Sequence, residues 1–210
     1  MNYKQKINLA KQGGYSSRAT LVSPVHLGWL MNHVSNMQNG KMVECGVARG
    51  GCIALCHLSN PNLKIIGLDS WEPMPAATEK DDRSKCDPWT GTLTCGKMED
   101  VQKNYDKLGA SSKNLTLLKG WLEDTIPSNI HMFENLDILR IDTDLYSSIL
   151  FTLKYLYPKV KKGGLVILDD WNFNPKGVRG AVGEYFGNEI SNLDIIQHEH
   201  GRGPAYFFKN

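Results

Sequence analysis

No stretch of the chain is apolar enough to span a bilayer, and the polar N-terminus carries no signal-peptide core. A cytoplasmic protein with no membrane partner is the expectation. Charge of one sign is lacking as well. Against 24 Lys and Arg stand 22 Asp and Glu, a formal net charge of +2, which gives no electrostatic basis for binding nucleic acid. Cysteine is sparse: of five residues, Cys52 and Cys56 lie one helical turn apart and read as buried small residues, while Cys86 and Cys95 fall in a loop. Neither pair has zinc-ligand company, so a reducing compartment is expected and the Asn114-Leu115-Thr116 sequon is incidental. Repeats and low-complexity segments are absent, and no glycine run follows the G-x-G-x-x-G spacing of dinucleotide enzymes. Tyr146 is followed four residues on by Leu150, and Tyr155 meets Lys159 only where Pro158 breaks the helix. The Tyr-x-x-x-Lys helix expected of a nicotinamide-dependent sugar dehydrogenase is therefore lacking.

What the chain does have is a pair of acidic strand ends. Leu139-Arg140-Ile141-Asp142-Thr143-Asp144 is followed, one helix-length later, by Val166-Ile167-Leu168-Asp169-Asp170. Each apolar run reads as a buried parallel strand that stops on carboxylates at its carboxyl edge. Tyr146, Ile149, Leu150, Leu153, Tyr157 and Val160 between them form a helical apolar stripe, suited to a right-handed crossover. If the strands are neighbours, about 5 Å apart, Asp142, Asp169 and Asp170 converge. Three ionised carboxylates at one point call for a hard divalent cation; otherwise they are solvated loop acids. Oxygen-only donors without His or Cys favour Mg²⁺, with Mn²⁺ a competent substitute.

A second candidate lies upstream. Met42-Val43-Glu44-Cys45-Gly46-Val47-Ala48-Arg49-Gly50-Gly51 runs from a strand through a glycine turn into a helix. Glycines there let a ligand approach the backbone, and the helix N-terminus offers free N–H groups. Leu63 to Leu68 reads as the next strand and ends on Asp69. A carboxylate about 20 residues beyond the glycine turn can bond both ribose hydroxyls of an adenosine cofactor. A helix cap or turn is the alternative for Asp69.

By size the 210 residues form one domain. Ser23-Pro24 reads as an N-cap with proline at N1, opening a helix that carries Leu27, Leu30, Met31, Val34 and Met37 and closes at Gly40. Residues 1–40 thus make an N-terminal helical region, although residues 1–19 show little apolar periodicity. The proline- and glycine-bearing stretch 70–96 is the expected lid or substrate loop. Residues 97–108 read as a charged helix, Leu115 to Leu118 as the third strand and Val178 to Phe186 as a helix. Leu193 to Gln197 and Ala205 to Phe208 then form a hairpin around His200-Gly201-Arg202-Gly203. On pattern alone the fold class is a doubly wound α/β domain.

Taken together, Val43 to Gly51, Leu68-Asp69-Ser70-Trp71-Glu72, Lys119-Gly120-Trp121 through Pro127, Ile141-Asp142-Thr143-Asp144-Leu145-Tyr146-Ser147-Ser148 and Leu156-Tyr157-Pro158 through Gly163-Gly164 to Asp169-Asp170-Trp171 resemble one family. The chain is similar to the class I S-adenosylmethionine-dependent methyltransferases, and among them to the metal-dependent macrocin O-methyltransferase (TylF-like) sugar methyltransferases. The resemblance implies a Rossmann-like, seven-stranded, mostly parallel sheet with an antiparallel last strand and helices on both faces. It implies S-adenosylmethionine with its methionine over Glu44, Gly46, Gly50 and Gly51 and its ribose on Asp69. Ser70 and Gly120 lie beside it, and Trp121 covers the adenine. It assigns the cation to Asp142, Asp169 and Asp170, and makes Asp142 general base as well as ligand, with Asp144 the other candidate for the proton. The implied acceptor is a sugar hydroxyl, a 6-deoxyhexose such as rhamnose on a glycan or glycosylated metabolite; a catechol is the alternative. A homodimer is left open.

Other residues have two readings each. Asp144 either takes a proton or caps the helix before Tyr146. Trp71 and Trp171 either offer sugar platforms or close core edges. Arg179 either touches substrate or makes a surface ion pair, and His198 with His200 either binds a second metal or lies on a solvated edge. The chain departs from the family pattern at Thr143, where glycine is usual, and at Trp71-Glu72-Pro73 in place of Phe-Glu-Gly. Both departures bear on the acceptor.

Overall fold

The first nineteen residues hold a helix that their weak periodicity does not announce. In the computed structural model, which describes residues 2–13, 17–92, 96–192, 194–197 and 204–210, α1 spans Tyr3–Ala10. Asn2 and Gln5 form a reciprocal capping box, and only Ile7 and Ala10 need be buried to dock it. Helix α2 (Pro24–Ser35) starts as expected, with the Ser23 hydroxyl accepting the His26 amide, and ends two residues before Met37.

The remaining order is β1 (Lys41–Cys45), α3 (Gly51–Ser59), β2 (Lys64–Asp69), α4 (Arg83–Cys86), α5 (Met98–Leu108), β3 (Leu115–Lys119), α6 (Leu122–Ser128), β4 (Leu136–Ile141), α7 (Tyr146–Leu156), β5 (Val160–Leu168), α8 (Pro175–Phe186), β6 (Ile196–Gln197) and β7 (Ala205–Phe208). The strands form one seven-stranded sheet in the order β3-β2-β1-β4-β5-β7-β6. β7 pairs antiparallel with both neighbours, and the pairs from β3 to β5 are all parallel. The terminal hairpin is present with a shorter first arm than the pattern suggests, Ile196 and Gln197 alone.

Alternation along the central strands divides the core into two layers. Val43, Cys45, Leu139, Ile141, Val166 and Leu168 face α6, α7 and α8. Met42, Ile65, Ile138, Leu165 and Ile167 face α1, α2, α3 and α5. Each fully buried side chain of this kind contributes about 1.5–3 kcal/mol, which makes the two layers the dominant stabilising term. A third, small cluster of Met74, Cys86 and Leu145 packs the stretch after β2 against the loop before α7. Cys86 therefore sits buried in the short helix α4, not in a loop. His57 is held between the Tyr105 hydroxyl and the Leu63 carbonyl, at 2.8 and 2.9 Å. Among the described residues, no helix is long and apolar enough to cross a membrane.

Chain order reverses between β1 and β4. In an open α/β sheet, ligands bind at such a switch point, beyond the carboxyl ends of the strands.

Candidate active site

At the switch point the chain leaving β1 passes close against the end of its parallel neighbour β4. The Asp142 amide donates to the Cys45 carbonyl at 2.8 Å, and the Gly46 amide to the Leu68 carbonyl at 2.8 Å. Gly46 has φ +89°, and a Cβ there would lie 1.7 Å from the Asp142 carbonyl oxygen. Only glycine permits this close approach. Three non-glycine residues around the same edge, Ala48, Trp71 and Asp144, also hold positive φ. Such strained backbone gathers where function constrains it.

Asp69 joins two of them. Its Oδ2 accepts the Ala48 amide at 2.8 Å and its Oδ1 the Trp71 amide at 2.7 Å. Burial raises its pKa, and the backbone donors pull it back in part. The acid thus serves as a turn residue and still borders an open cleft of about 730 Å³, solvent at the mouth included. Gly46, Ser70, Gly120, Trp121 and Asp142 border it too, as do Asp144 and Ser148. Trp121 is 43% exposed, an aromatic face offered to the cleft.

Glu44, Gly50 and Gly51 are not brought to this cleft. A Cβ on Gly50 would meet Val101 at 2.6 Å, and one on Gly51 would meet the Ala19 carbonyl oxygen at 2.5 Å. The Gly51 amide already donates to that carbonyl at 3.0 Å, so these two glycines serve close packing at the start of α3. Glu44, 1% exposed, turns instead toward Arg140.

Arg140 is the residue that the sequence pattern hides. An arginine inside an apolar strand reads as an interruption, yet it is 1% exposed and binds three carboxylates. Nη1 donates to Glu44 Oε1 at 2.6 Å and to Asp142 Oδ2 at 2.8 Å; Nη2 donates to Asp169 Oδ1 at 2.5 Å. Burial opposes its charge, but Asp142, Asp169 and Glu44 outweigh that and raise its pKa. The usable signal was period two: Arg140 and Asp142 share a sheet face.

Asp142, Asp169 and Asp170 do converge, each offering an oxygen within 4.8 Å of the others. Burial pushes the carboxyls of Glu44, Asp142 and Asp170 well above the usual range. One guanidinium cannot neutralise Glu44 and three aspartates, and Glu44 Oε2 is buried without a hydrogen-bond partner. An all-oxygen, under-neutralised cluster fits a hard divalent cation.

Asp144 does not cap α7. Its amide donates to Asp170 Oδ2 at 3.0 Å, and burial together with the Asp169 charge pushes its carboxyl up to about 6. The capping carboxylate is Asp81, from the stretch after β2, whose Oδ1 accepts the Tyr146 amide at 2.8 Å. The tryptophans are not open platforms either. Trp71 and Trp171 are 8% and 6% exposed; the first donates its indole N–H to the Ala48 carbonyl, and the second lies under the Arg179 guanidinium. Arg179, on α8, also donates to Asn172, which ties it to the turn before that helix. His198 and His200 lie outside the described residues.

Residues 26–197 match the model of the macrocin O-methyltransferase (TylF) family. The demethyldecarbamoylnovobiocin O-methyltransferase of Streptomyces niveus is 32% identical over 160 residues, 72% of this chain and 60% of its own. The mycinamicin III 3''-O-methyltransferase of Micromonospora griseorubida is 30% identical over 176 residues, 75% of this chain and 65% of its own. The chain thus matches somewhat under two thirds of these relatives' length. The structure of the O-methyltransferase NovP superposes with a TM-score of 0.79 at 26% identity, covering 98% of this chain and 88% of that one. The Rossmann-like fold, the order of the motifs and the extent of the match have one meaning: the chain belongs to the macrocin O-methyltransferase family.

Proposed function

We propose that the protein is an S-adenosylmethionine-dependent O-methyltransferase that uses Mg²⁺, or Mn²⁺ in its place, to methylate a sugar hydroxyl. The acceptor proposed is a 6-deoxyhexose such as rhamnose, on a glycan or glycosylated metabolite. A relative from Streptomyces olivaceus, 32% identical over 170 residues, is named for methylating a rhamnosyl-tetracenomycin, which supports that class. The observation that carries the reading is the meeting of a cleft-lining acid, Asp69, with three carboxylates at one sheet edge.

In this reading Asp69 receives the ribose hydroxyls, while Ser70 and Gly120 border the same end of the cleft. Trp121 covers the adenine and keeps water from one face of it. Gly46 lets the methionine part approach the backbone. Asp142, Asp169 and Asp170 would hold the cation, which when bound would acidify and orient the acceptor hydroxyl. S-adenosylmethionine supplies an activated methyl group, whose bond to sulfur breaks as the acceptor oxygen bonds to carbon. Asp142 takes the hydroxyl proton, and Asp144, on the same cleft wall, is the second acceptor for it. Holding both reactants in line accounts for an effective molarity of about 10⁵–10⁸ M in well-oriented systems.

The test is methyl transfer from S-adenosylmethionine to rhamnosyl and other 6-deoxyhexosyl glycosides, with Mg²⁺ or with EDTA, and catechol as a parallel acceptor. Turnover of a glycoside that EDTA and Asp169→Ala both abolish is expected. Turnover of catechol alone would overturn the acceptor class, and full activity of Asp169→Ala in EDTA would overturn the cation.

A further inference from the structure

We infer that Arg140 is a positioning residue for the cation site, its guanidinium fork setting the separation of Asp142 and Asp169. The inference rests on the cation reading above and says what organises it. Arg140 is in register with Glu44 on β1 and with Ile167 on β5. Asp142 lies two residues beyond Arg140, and Asp169 two beyond Ile167, so all four polar side chains leave the same face of the sheet. Nη1 and Nη2 each take one ligand, Asp142 through Oδ2 and Asp169 through Oδ1. The other oxygen of each carboxylate makes no bond to the fork. Glu44 Oε1 also accepts from Nη1, and because the Arg140 and Glu44 side chains are 2% exposed, water does not compete for that contact.

A planar fork is the feature that matters. Lysine would keep the charge but present one nitrogen, which cannot span the ends of β4 and β5 as two rigid N–H groups do. A charge-balancing role and a positioning role predict opposite results. On charge alone, removing a cation from among four carboxylates tightens the binding of a divalent ion. If the fork presets the ligands, removal weakens it.

Mn²⁺ titration of the metal-free 210-residue chain, followed by electron paramagnetic resonance of free and bound ion, separates the two. Wild type should bind Mn²⁺, and Arg140→Lys should bind at least tenfold more weakly with a changed bound-ion spectrum although its charge is kept. Arg140→Met should also bind more weakly. Circular dichroism checks that each variant folds, and should Arg140→Met fail to fold, the lysine variant decides. Arg140→Lys matching wild type in affinity and spectrum, or Arg140→Met binding more tightly, overturns the inference while leaving the cation reading intact. Wild type that binds no Mn²⁺ at millimolar concentration removes both.

Discussion

Asp81 caps helix α7 from a distant stretch of chain: its Oδ1 accepts the Tyr146 amide at 2.8 Å and the Asn174 side-chain amide at 2.8 Å. Asn174 returns the link by accepting the Asp82 amide, also at 2.8 Å. The stretch after β2 is thereby fastened to the starts of α7 and α8, on either side of the acidic edge. Loss of a helix cap costs about 0.5–2 kcal/mol, and a stranded buried donor about 1–3 kcal/mol more. Asp81→Ala should lower unfolding stability by about 2–3 kcal/mol and speed proteolytic cleavage between residues 70 and 92. Urea denaturation and limited proteolysis check it; a wild-type pattern in both would show that the stretch is held by its apolar cluster alone.

Asp69 is expected to control nucleoside affinity and its pH dependence. The ionised carboxylate accepts ribose hydroxyls and the protonated one loses that capacity. Burial raises its pKa, so S-adenosylhomocysteine affinity should fall as pH drops through a window above the usual carboxylate value. Asp69→Asn should bind at least tenfold more weakly and with a flatter profile. Calorimetry between pH 4.5 and 8 checks this, and an equally steep profile in the variant would assign the titration elsewhere.

Two glycines with similar φ should respond differently to alanine. Gly46→Ala places a Cβ 1.7 Å from a backbone oxygen, whereas Gly109→Ala, at φ +72°, meets nothing within 4 Å. The second substitution should cost about 1 kcal/mol for backbone strain alone, and the first should exceed 3 kcal/mol or prevent folding. Equal costs, read from denaturation midpoints, would mean that the close approach of Gly46 to Asp142 yields easily.

Much of the fold was legible because buried parallel strands are long apolar runs, and because acids at their ends mark the sheet edge. Gly46 and Asp69, at the ends of such strands, were legible as cleft wall for the same reason, whereas Trp121 was carried only by the family resemblance. What was not legible depends on contacts far apart in sequence. Arg140 lies 96 residues from Glu44 and 29 from Asp169, and Asp81 lies 65 from Tyr146. No local period announces such pairs. Helix α1 escaped because two apolar residues suffice to dock eight. At the glycine turn, the space a side chain would fill at Gly50 and Gly51 is taken by Val101 and Ala19, again contacts far apart in sequence.

The buried His57 should make the fold acid-sensitive. Burial lowers its pKa from 6.5, and the Leu63 carbonyl only partly restores it. With the folded value below the unfolded one, the stabilisation is present above about pH 6.5 and is lost as pH falls through the folded value. His33, likewise lowered by burial, acts in the same direction. The raised carboxyls of Glu44, Asp69, Asp142, Asp144 and Asp170 act in the opposite direction, so the histidine contribution is read as a difference: below about pH 6.5 the thermal midpoint of wild type should fall relative to that of His57→Gln. An unchanged difference would place the sensitivity in other groups.

The most direct measurement is isothermal titration of the 210-residue chain with S-adenosylhomocysteine, with and without Mg²⁺, and with NAD⁺ as control. Binding at about micromolar dissociation constant, weakened at least tenfold by Asp69→Ala and silent with NAD⁺, is the expected result. No heat with S-adenosylhomocysteine under either condition would contradict the methyltransferase function, because the cleft beside Asp69 would then not be a nucleoside site.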